Sequence, residues 1–128
     1  MFQNEHDKII IPIINGLEFV SPENIVSVHS DGNYTNFILS DKSKLQSSHT
    51  LKFFEPALTE HGFIRVHESN IINPAYVKSY IKGDGGLVVM KNGSEVSVAR
   101  NRKYEFLLAI AIRWGSPALF ARIVNHFR

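Results

Sequence analysis

The chain of 128 residues has no cysteine, a formal net charge of +2 and 44% hydrophobic residues. These values are typical of one domain that buries its own core, and they exclude disulfides, thiolate catalysis and thiolate metal sites. Residues 1–8 are polar and lack the layout of a signal peptide, and the longest apolar run, Phe106 to Ile112, is too short to span a bilayer, so we expect a cytoplasmic protein without membrane contact.

Charge is unevenly distributed along the chain. Residues 1–77 hold five basic and nine acidic side chains, a net −4, whereas residues 78–113 hold seven basic and three acidic side chains, a net +4. A basic C-terminal half can follow the phosphates of a nucleic acid, although charge in sequence does not guarantee one basic face in space.

Short strands are predicted along most of the chain. Segments with alternating or branched apolar residues are 9–13, 17–20, 25–29, 34–39, 63–66, 87–90 and 95–99. Asn15-Gly16 and Lys91-Asn92-Gly93 predict hairpins, and Asp31-Gly32-Asn33 separates two further strands. Because these strands are too closely spaced for helical crossovers, we expect antiparallel sheets.

Helices are predicted in three places. Thr50 can cap a short helix carrying Leu51 and Phe54, but Pro56 should end or bend it, so we expect a brief and irregular helix. A stronger helix begins at Asn101, and Ser116-Pro117 opens another. Its apolar stripe, Leu119 to Phe127, is expected to pack on its own domain, with a dimer contact as the alternative. These patterns divide the chain into a polar segment 1–8, a domain 9–112 and an amphipathic extension 113–128.

Residues 63–73 concentrate hydrogen-bonding side chains where a plain strand needs few. Arg65, His67, Glu68, Ser69 and Asn70 follow one another within six positions. Such a cluster suits a surface that reads another polymer. A strand end in which Ser69 and Asn73 cap backbone groups is the structural alternative.

Nothing in the sequence supports catalysis. The six histidines do not form a ligand pair at metal spacing, so no metal or cofactor is expected. The Gly83-Asp84-Gly85-Gly86 segment lacks the Lys-Ser/Thr pair and following helix of a phosphate-binding loop, and it is better read as a hairpin loop. No serine has the surroundings of a nucleophile elbow. We therefore expect a protein that is not an enzyme.

Four segments in this order resemble the LytTR DNA-binding domain of bacterial response regulators. They are residues 25–34, 50–52, 63–73 with its Arg-Val-His-x-Ser-x-Ile-Ile-Asn pattern, and 96–100. The resemblance covers about residues 9–112. It implies a mainly β fold of elongated antiparallel sheets, with one short internal helix and a C-terminal helix or helices. It also implies sequence-specific binding of double-stranded DNA by a transcriptional regulator or its effector domain.

Loops of this family enter successive major grooves, and the resemblance locates three of them here. The implied base contacts are Thr35, Asn36, Glu68 and Arg100. The implied phosphate contacts are Asn33, Ser69, Asn101, Arg102 and Lys103. An arginine can bridge O6 and N7 of guanine, an asparagine can pair with adenine, and a glutamate can accept from cytosine N4. The structural alternative for Arg100 is a surface arginine that pairs with a phosphate or with Glu105. Glu68 departs from the family, which more often has a basic or amide residue there. Arg65 and His67 are expected to brace the second loop.

Partners follow from the same resemblance. The family usually carries an N-terminal receiver, and nothing before Ile9 encodes one, so either this is a fragment of a longer regulator or it is controlled differently. A receiver or sensor partner would then lie outside this chain. A pair of domains, such as a homodimer on DNA, is expected to occupy two sites about one helical turn apart.

Two other functions remain open from the residues themselves. Residues 106–112 and the 119–127 stripe could form the binding surface of a β-rich protein-interaction module, with the polar loops incidental. Binding of single-stranded nucleic acid is the remoter alternative, because Tyr34 and Tyr104 could stack on bases.

Overall fold

The computed structural model of the protein describes residues 7–115 and 117–123. The strands in these ranges are β1 (Ile9–Ile13), β2 (Gly16–Val20), β3 (Ile25–Asp31), β4 (Tyr34–Leu39), β5 (Lys44–Ser47), β6 (Ile64–His67), β7 (Asn70–Ile72), β8 (Val77–Ile81), β9 (Leu87–Met90) and β10 (Glu95–Ser97). The helices are α1 (Leu51–Glu60), α2 (Lys103–Arg113) and α3 (Pro117–Ile123). Short 3-10 turns cover Pro22–Asn24, Pro74–Tyr76 and Arg100–Arg102.

The described strands form three antiparallel sheets. The hairpin β1-β2 is one, β10-β9-β8 is another, and β5-β4-β3-β7-β6 is the five-stranded central sheet. The mainly β, antiparallel fold predicted from the sequence is therefore confirmed. In the first hairpin Ile13 pairs with Gly16, so the turn residues are Ile14 and Asn15, one position earlier than the Asn-Gly step suggested.

Strand direction brings three connections to one end of the central sheet. Asp31 pairs with Tyr34, Thr35 pairs with Ser47, and Asn70 pairs with both His29 and His67. The connections 32–33, 48–50 and 68–69 therefore lie side by side, and we call this edge the loop end of the sheet.

Both faces of the central sheet are buried. Ile71 packs in a cluster with β1, β3 and helix α1, whereas its neighbour Ile72 packs in a second cluster with β8, β9, β10 and Phe106. Successive residues of a strand point to opposite faces, so these two clusters lie on either side of the sheet. A slip of one residue would exchange the two sets of side chains, which fixes the register and thus the position of the loop end.

Helix α1 differs from its prediction. It runs for ten residues and passes through Pro56 instead of ending there. Proline removes one backbone hydrogen bond inside a helix. Leu51, Phe54 and Leu58 are nevertheless buried along one face, and this packing outweighs the local cost. Thr50 occupies the cap position with extended backbone angles, but its side chain makes no capping hydrogen bond.

The C-terminal helices lie against each other. The ring of Tyr104 in α2 contacts that of Phe120 in α3 at 5.6 Å between centroids. The part of α3 that the structure describes thus packs on its own domain, as predicted. Ser116, Val124 and Phe127, which also belonged to the predicted helix, lie outside the described residues. No helix in the described ranges is long and apolar enough to cross a membrane.

Candidate nucleic-acid interface

The first predicted loop is the two-residue turn between β3 and β4. Gly32 has a φ of +63°, a conformation that only glycine adopts readily. The turn leaves Asn33 and Tyr34 exposed at the loop end. Asn36 lies two residues into β4, where its Oδ1 accepts a hydrogen bond from Nε2 of Gln46 at 3.1 Å. The amide nitrogen of Asn36, Nδ2, takes no part in this hydrogen bond.

Thr35 occupies a different environment from the other predicted base contacts. Its side chain is fully buried, with 0% exposure, and its hydroxyl donates to the His49 carbonyl at 2.7 Å. The hydroxyl is thus engaged inside the domain and holds the connection between β5 and α1. Strand alternation alone did not show which face of β4 is covered.

The connection between β5 and α1 is a surface that the sequence did not single out. The ring of His49 stacks on that of Phe53 at 4.2 Å and 19°, and both side chains are exposed, as is Lys52. The segment 50–52 belongs to the family resemblance, but its position beside the first turn becomes visible only once β5 is paired with β4.

The second predicted loop is the turn Glu68-Ser69 between β6 and β7. Glu68 is exposed and Ser69 is half-buried. Nδ1 of His67 accepts from the Ser69 backbone N–H at 3.2 Å and lies 3.0 Å from its hydroxyl. This contact indicates a ring that is unprotonated at Nδ1. His67 therefore braces the turn, as expected.

Arg65 braces the same turn from the strand before it. Its Nε donates to the His67 carbonyl at 3.1 Å, and Nη2 donates to the Glu68 carbonyl. Nη1 forms an ion pair with Oε1 of Glu55 in α1 at 2.6 Å. One guanidinium thus joins two carbonyls of the loop to a helix that lies behind it.

Asn73 closes the predicted cluster and has a structural role. It is buried, its Oδ1 accepts from the Ala75 N–H at 3.0 Å, and its Nδ2 donates to the Ile25 carbonyl at 2.9 Å. The capping alternative raised for this residue is therefore the one that the structure shows.

The third predicted segment follows β10. Arg100 is 77% exposed, and its Nη1 lies 3.6 Å from Oδ1 of Asp84, so its carboxylate neighbour is not Glu105. Glu105 instead lies 3.9 Å from Arg102. Asn101 is exposed and Lys103 is half-buried. Arg100 is thus presented to solvent with an exposed carboxylate as its partner.

A glycine-rich loop supports this segment, and it is the hairpin loop predicted for residues 83–86. A Cβ on Gly85 would lie 1.8 Å from the Val98 carbonyl oxygen and 2.9 Å from the Arg100 nitrogen, so only glycine fits. The Tyr80 hydroxyl donates to the Gly85 carbonyl. Burial raises the pKa of this hydroxyl, which keeps it protonated as a donor.

Hydrogen bonds connect the three predicted segments. The Ser30 N–H donates to the Ser69 carbonyl at 3.0 Å, which ties the first turn to the second. The Ala99 N–H donates to the Val66 carbonyl at 2.7 Å, which ties the third segment to β6. The backbone of each segment is therefore bonded to that of its neighbour.

Comparisons with known proteins identify the family and the fold of the domain. Residues 15–111 match the family model described as the LytTr DNA-binding domain. The sensory transduction protein LytT of Bacillus subtilis is 28% identical over 103 residues, which are 77% of this chain and 42% of that protein. The chain therefore spans less than half of this curated relative. The solved LytTr DNA-binding domain of a methyl-accepting/DNA response regulator from Bacillus cereus superposes with a TM-score of 0.69 at 21% identity, over 81% of this chain and 96% of that domain.

Proposed function

Because the chain belongs to the LytTR family of DNA-binding domains, we propose that it binds specific double-stranded DNA sequences by placing loops in the major groove. It would act as a bacterial transcriptional regulator or as the effector domain of one. The observation that carries this proposal is that backbone hydrogen bonds join two turns and the Arg100 segment, each of which has exposed polar side chains.

Base reading is assigned to exposed Arg100 and Glu68 and to half-buried Asn36. Arg100 can bridge O6 and N7 of guanine, a contact worth roughly 1–3 kcal/mol of discrimination. Glu68 can accept from cytosine N4, and Asn36 can donate to a base edge with the amide nitrogen that Gln46 leaves unused. Thr35, which is buried, contributes by holding the adjacent connection in place.

Phosphate contacts position the domain on the duplex. The residues proposed for them are Asn33, Ser69, Asn101, Arg102 and Lys103. Arg102 and Lys103 lie where α2 begins, and the positive end of the helix dipole adds to their charge. A pair of domains, for instance a homodimer on DNA, would occupy sites about one helical turn apart. A receiver or sensor partner would lie outside this chain.

Selection from a random duplex library tests this function. The full chain, Arg100→Ala and the charge-matched control Arg113→Ala are each selected and then titrated with salt on the enriched and a scrambled duplex. Arg113 is exposed at the far end of α2. We expect a defined motif, relaxed at one base position only in Arg100→Ala. Binding that shows no motif and disappears with salt would mean that the basic residues attract phosphates without reading bases.

A protein-interaction module is the second candidate, and one observation favours it. Leu107, Ile110, Trp114, Leu119 and Phe120 line an apolar groove between α2 and α3. Light scattering after size-exclusion chromatography, with and without Leu119→Asp, would show whether this groove drives association. Association that Leu119→Asp abolishes, in a chain that selects no DNA motif, would favour this second function.

A further inference from the structure

We propose that the Arg65–Glu55 ion pair is a positioning device for DNA reading, which sets the second turn from helix α1 and thereby decides how Glu68 meets its base. This inference rests on the proposed function. It assigns a role to Glu55, a residue of helix α1 that is linked to the turn by its ion pair with Arg65.

The turn needs outside support because of its backbone. Pairing of His67 with Asn70 leaves Glu68 and Ser69 as a two-residue hairpin loop. The turn types that match strand twist in such loops require a positive φ. Among the described residues Lys42 is the one non-glycine position with a positive φ, so neither Glu68 nor Ser69 has one. Their turn therefore lacks the conformation that would close the hairpin by itself.

Arg65 supplies the missing support. Three of its nitrogens donate to acceptors, two of which are the consecutive carbonyls of His67 and Glu68 and the third the Glu55 carboxylate. The guanidinium is planar and rigid, so fixing one of its edges on Glu55 fixes the others on the turn. A lysine has one nitrogen on a flexible stem and cannot hold these acceptors in a common plane.

Strand β6 directs the arginine toward the helix. The pairing of β6 with β7 shifts register between Arg65 and His67, and such an irregularity re-aims the side chains next to it. The side chains of Arg65 and Glu55 are 14% and 33% exposed, so solvent screens this pair less than the surface pairs of Arg100 and Arg102. Helix α1 is in turn fixed by buried Phe54 and Leu58 on either side of Glu55.

Position matters here because base recognition depends on direction. The Glu68 carboxylate accepts no hydrogen bond from the described residues, so its orientation follows the backbone of the turn. The strength of a hydrogen bond falls steeply when its donor–hydrogen–acceptor angle departs from linear. We expect loss of the pair to reduce the preference for the base opposite Glu68 about fivefold to tenfold, while binding to scrambled DNA stays within about twofold.

The test compares selected motifs of four forms of the full chain. Glu68→Gln first identifies the base pair that Glu68 reads. Glu55→Gln removes the charge that anchors Arg65, and Glu60→Gln is the control, because Glu60 is exposed on the same helix and the change in net charge is equal. We expect Glu55→Gln to relax the base pair identified by Glu68→Gln, and Glu60→Gln to leave the whole motif unchanged.

Further variants separate positioning from folding. Glu55→Asp keeps the charge but shortens its reach, so it should relax the same base pair less than Glu55→Gln. Arg65→Lys keeps the charge but not the planar fork, and it should relax that base pair fully. Circular dichroism of each variant shows whether the fold is retained, and Glu55→Asp serves as the test if Glu55→Gln does not fold.

The outcomes distinguish this inference from the function on which it rests. Absence of any motif for the unaltered chain would overturn the proposed function. A motif in which Glu68→Gln changes no base, or in which Glu55→Gln lowers stability but leaves the base opposite Glu68 equally preferred, would overturn the positioning role alone.

Discussion

The first and second turns of the proposed interface are built in opposite ways. The first turn, Gly32-Asn33, is formed by the local conformation of Gly32, which adopts a φ of +63°. No neighbouring group supports it at this point, since a Cβ on Gly32 would meet nothing within 4 Å. The second, Glu68-Ser69, has no positive φ and is held by Arg65 and His67 through carbonyl and amide groups.

This difference separates local from non-local encoding. A glycine in a turn acts through the conformations open to one residue. The Arg65 contact instead depends on β6, on the turn and on α1 together, so it forms only when these elements have packed. Substitutions should therefore disturb the first turn through backbone strain and the second through unpaired polar groups.

The largest effect is expected from Arg65→Met. It leaves the half-buried Glu55 carboxylate without its cation and removes the donors to the His67 and Glu68 carbonyls. We expect a loss of about 2 kcal/mol in the free energy of unfolding, discounted for the partial exposure of the pair. Urea denaturation measures it, with Arg113→Met as the exposed control. Equal stability of both variants would contradict external support of the second turn.

Gly32→Ala should cost somewhat less. Since a new Cβ has no neighbour within 4 Å, the cost is backbone strain alone, about 1–2 kcal/mol. Gly83→Ala is the control, because Gly83 has no positive φ and its Cβ would make ordinary contacts, the nearest at 3.7 Å. Similar thermal stability of the two variants would show that the first turn is not encoded by its glycine.

His67→Leu tests the second brace of the second turn. It removes the acceptor of the Ser69 N–H, and we expect a loss of about 1 kcal/mol. His67→Asn should recover most of this, because an asparagine Oδ1 can accept from the N–H two residues later. Faster amide hydrogen exchange at Ser69 in the leucine variant alone would support this. The same rate in both variants would argue against it.

The smallest effect is expected at the third segment, which is held neither by a positive φ nor by a buried ion pair. The Arg100–Asp84 pair is 77% and 83% exposed, so it contributes little to folding. If Arg100 contacts DNA as proposed, Asp84→Asn removes an acid that competes for it, and DNA affinity should rise about twofold to fivefold at low salt. Asp41→Asn is the control, in a turn away from the loop end. An equal rise for both would reflect net charge alone.

The sequence was sufficient where structure is local. Asn15-Gly16 and Lys91-Asn92-Gly93 predicted two hairpins that the structure contains, and Asp31-Gly32-Asn33 was predicted to separate two strands, which it does. The family resemblance predicted the mainly β fold. The length of α1 was wrong because burial of Leu51, Phe54 and Leu58 outweighs the cost of a proline, and this packing is not visible in a window around Pro56.

The candidate site was predicted less completely for the same reason. Thr35 was selected because the family resemblance places the first loop there, yet its burial depends on β5 and on the chain at His49. The partner of Arg100 is Asp84, 16 positions earlier, rather than the nearby Glu105, because the glycine-rich loop folds back onto the Val98–Arg100 backbone. Contacts between distant segments carry no signature in composition or spacing.

Arg65 holds the second turn through carbonyl groups, which every amino acid possesses. The hydrogen bonds from Arg65 therefore do not depend on which side chain is present at position 68. In the proposed interface, substitutions at this position would alter which base the turn recognises without altering the shape of the turn. The target sequence could therefore change in evolution one residue at a time while the fold is retained. Glu68, which departs from the residue that the family resemblance implies at this position, is a change that such a scaffold can tolerate.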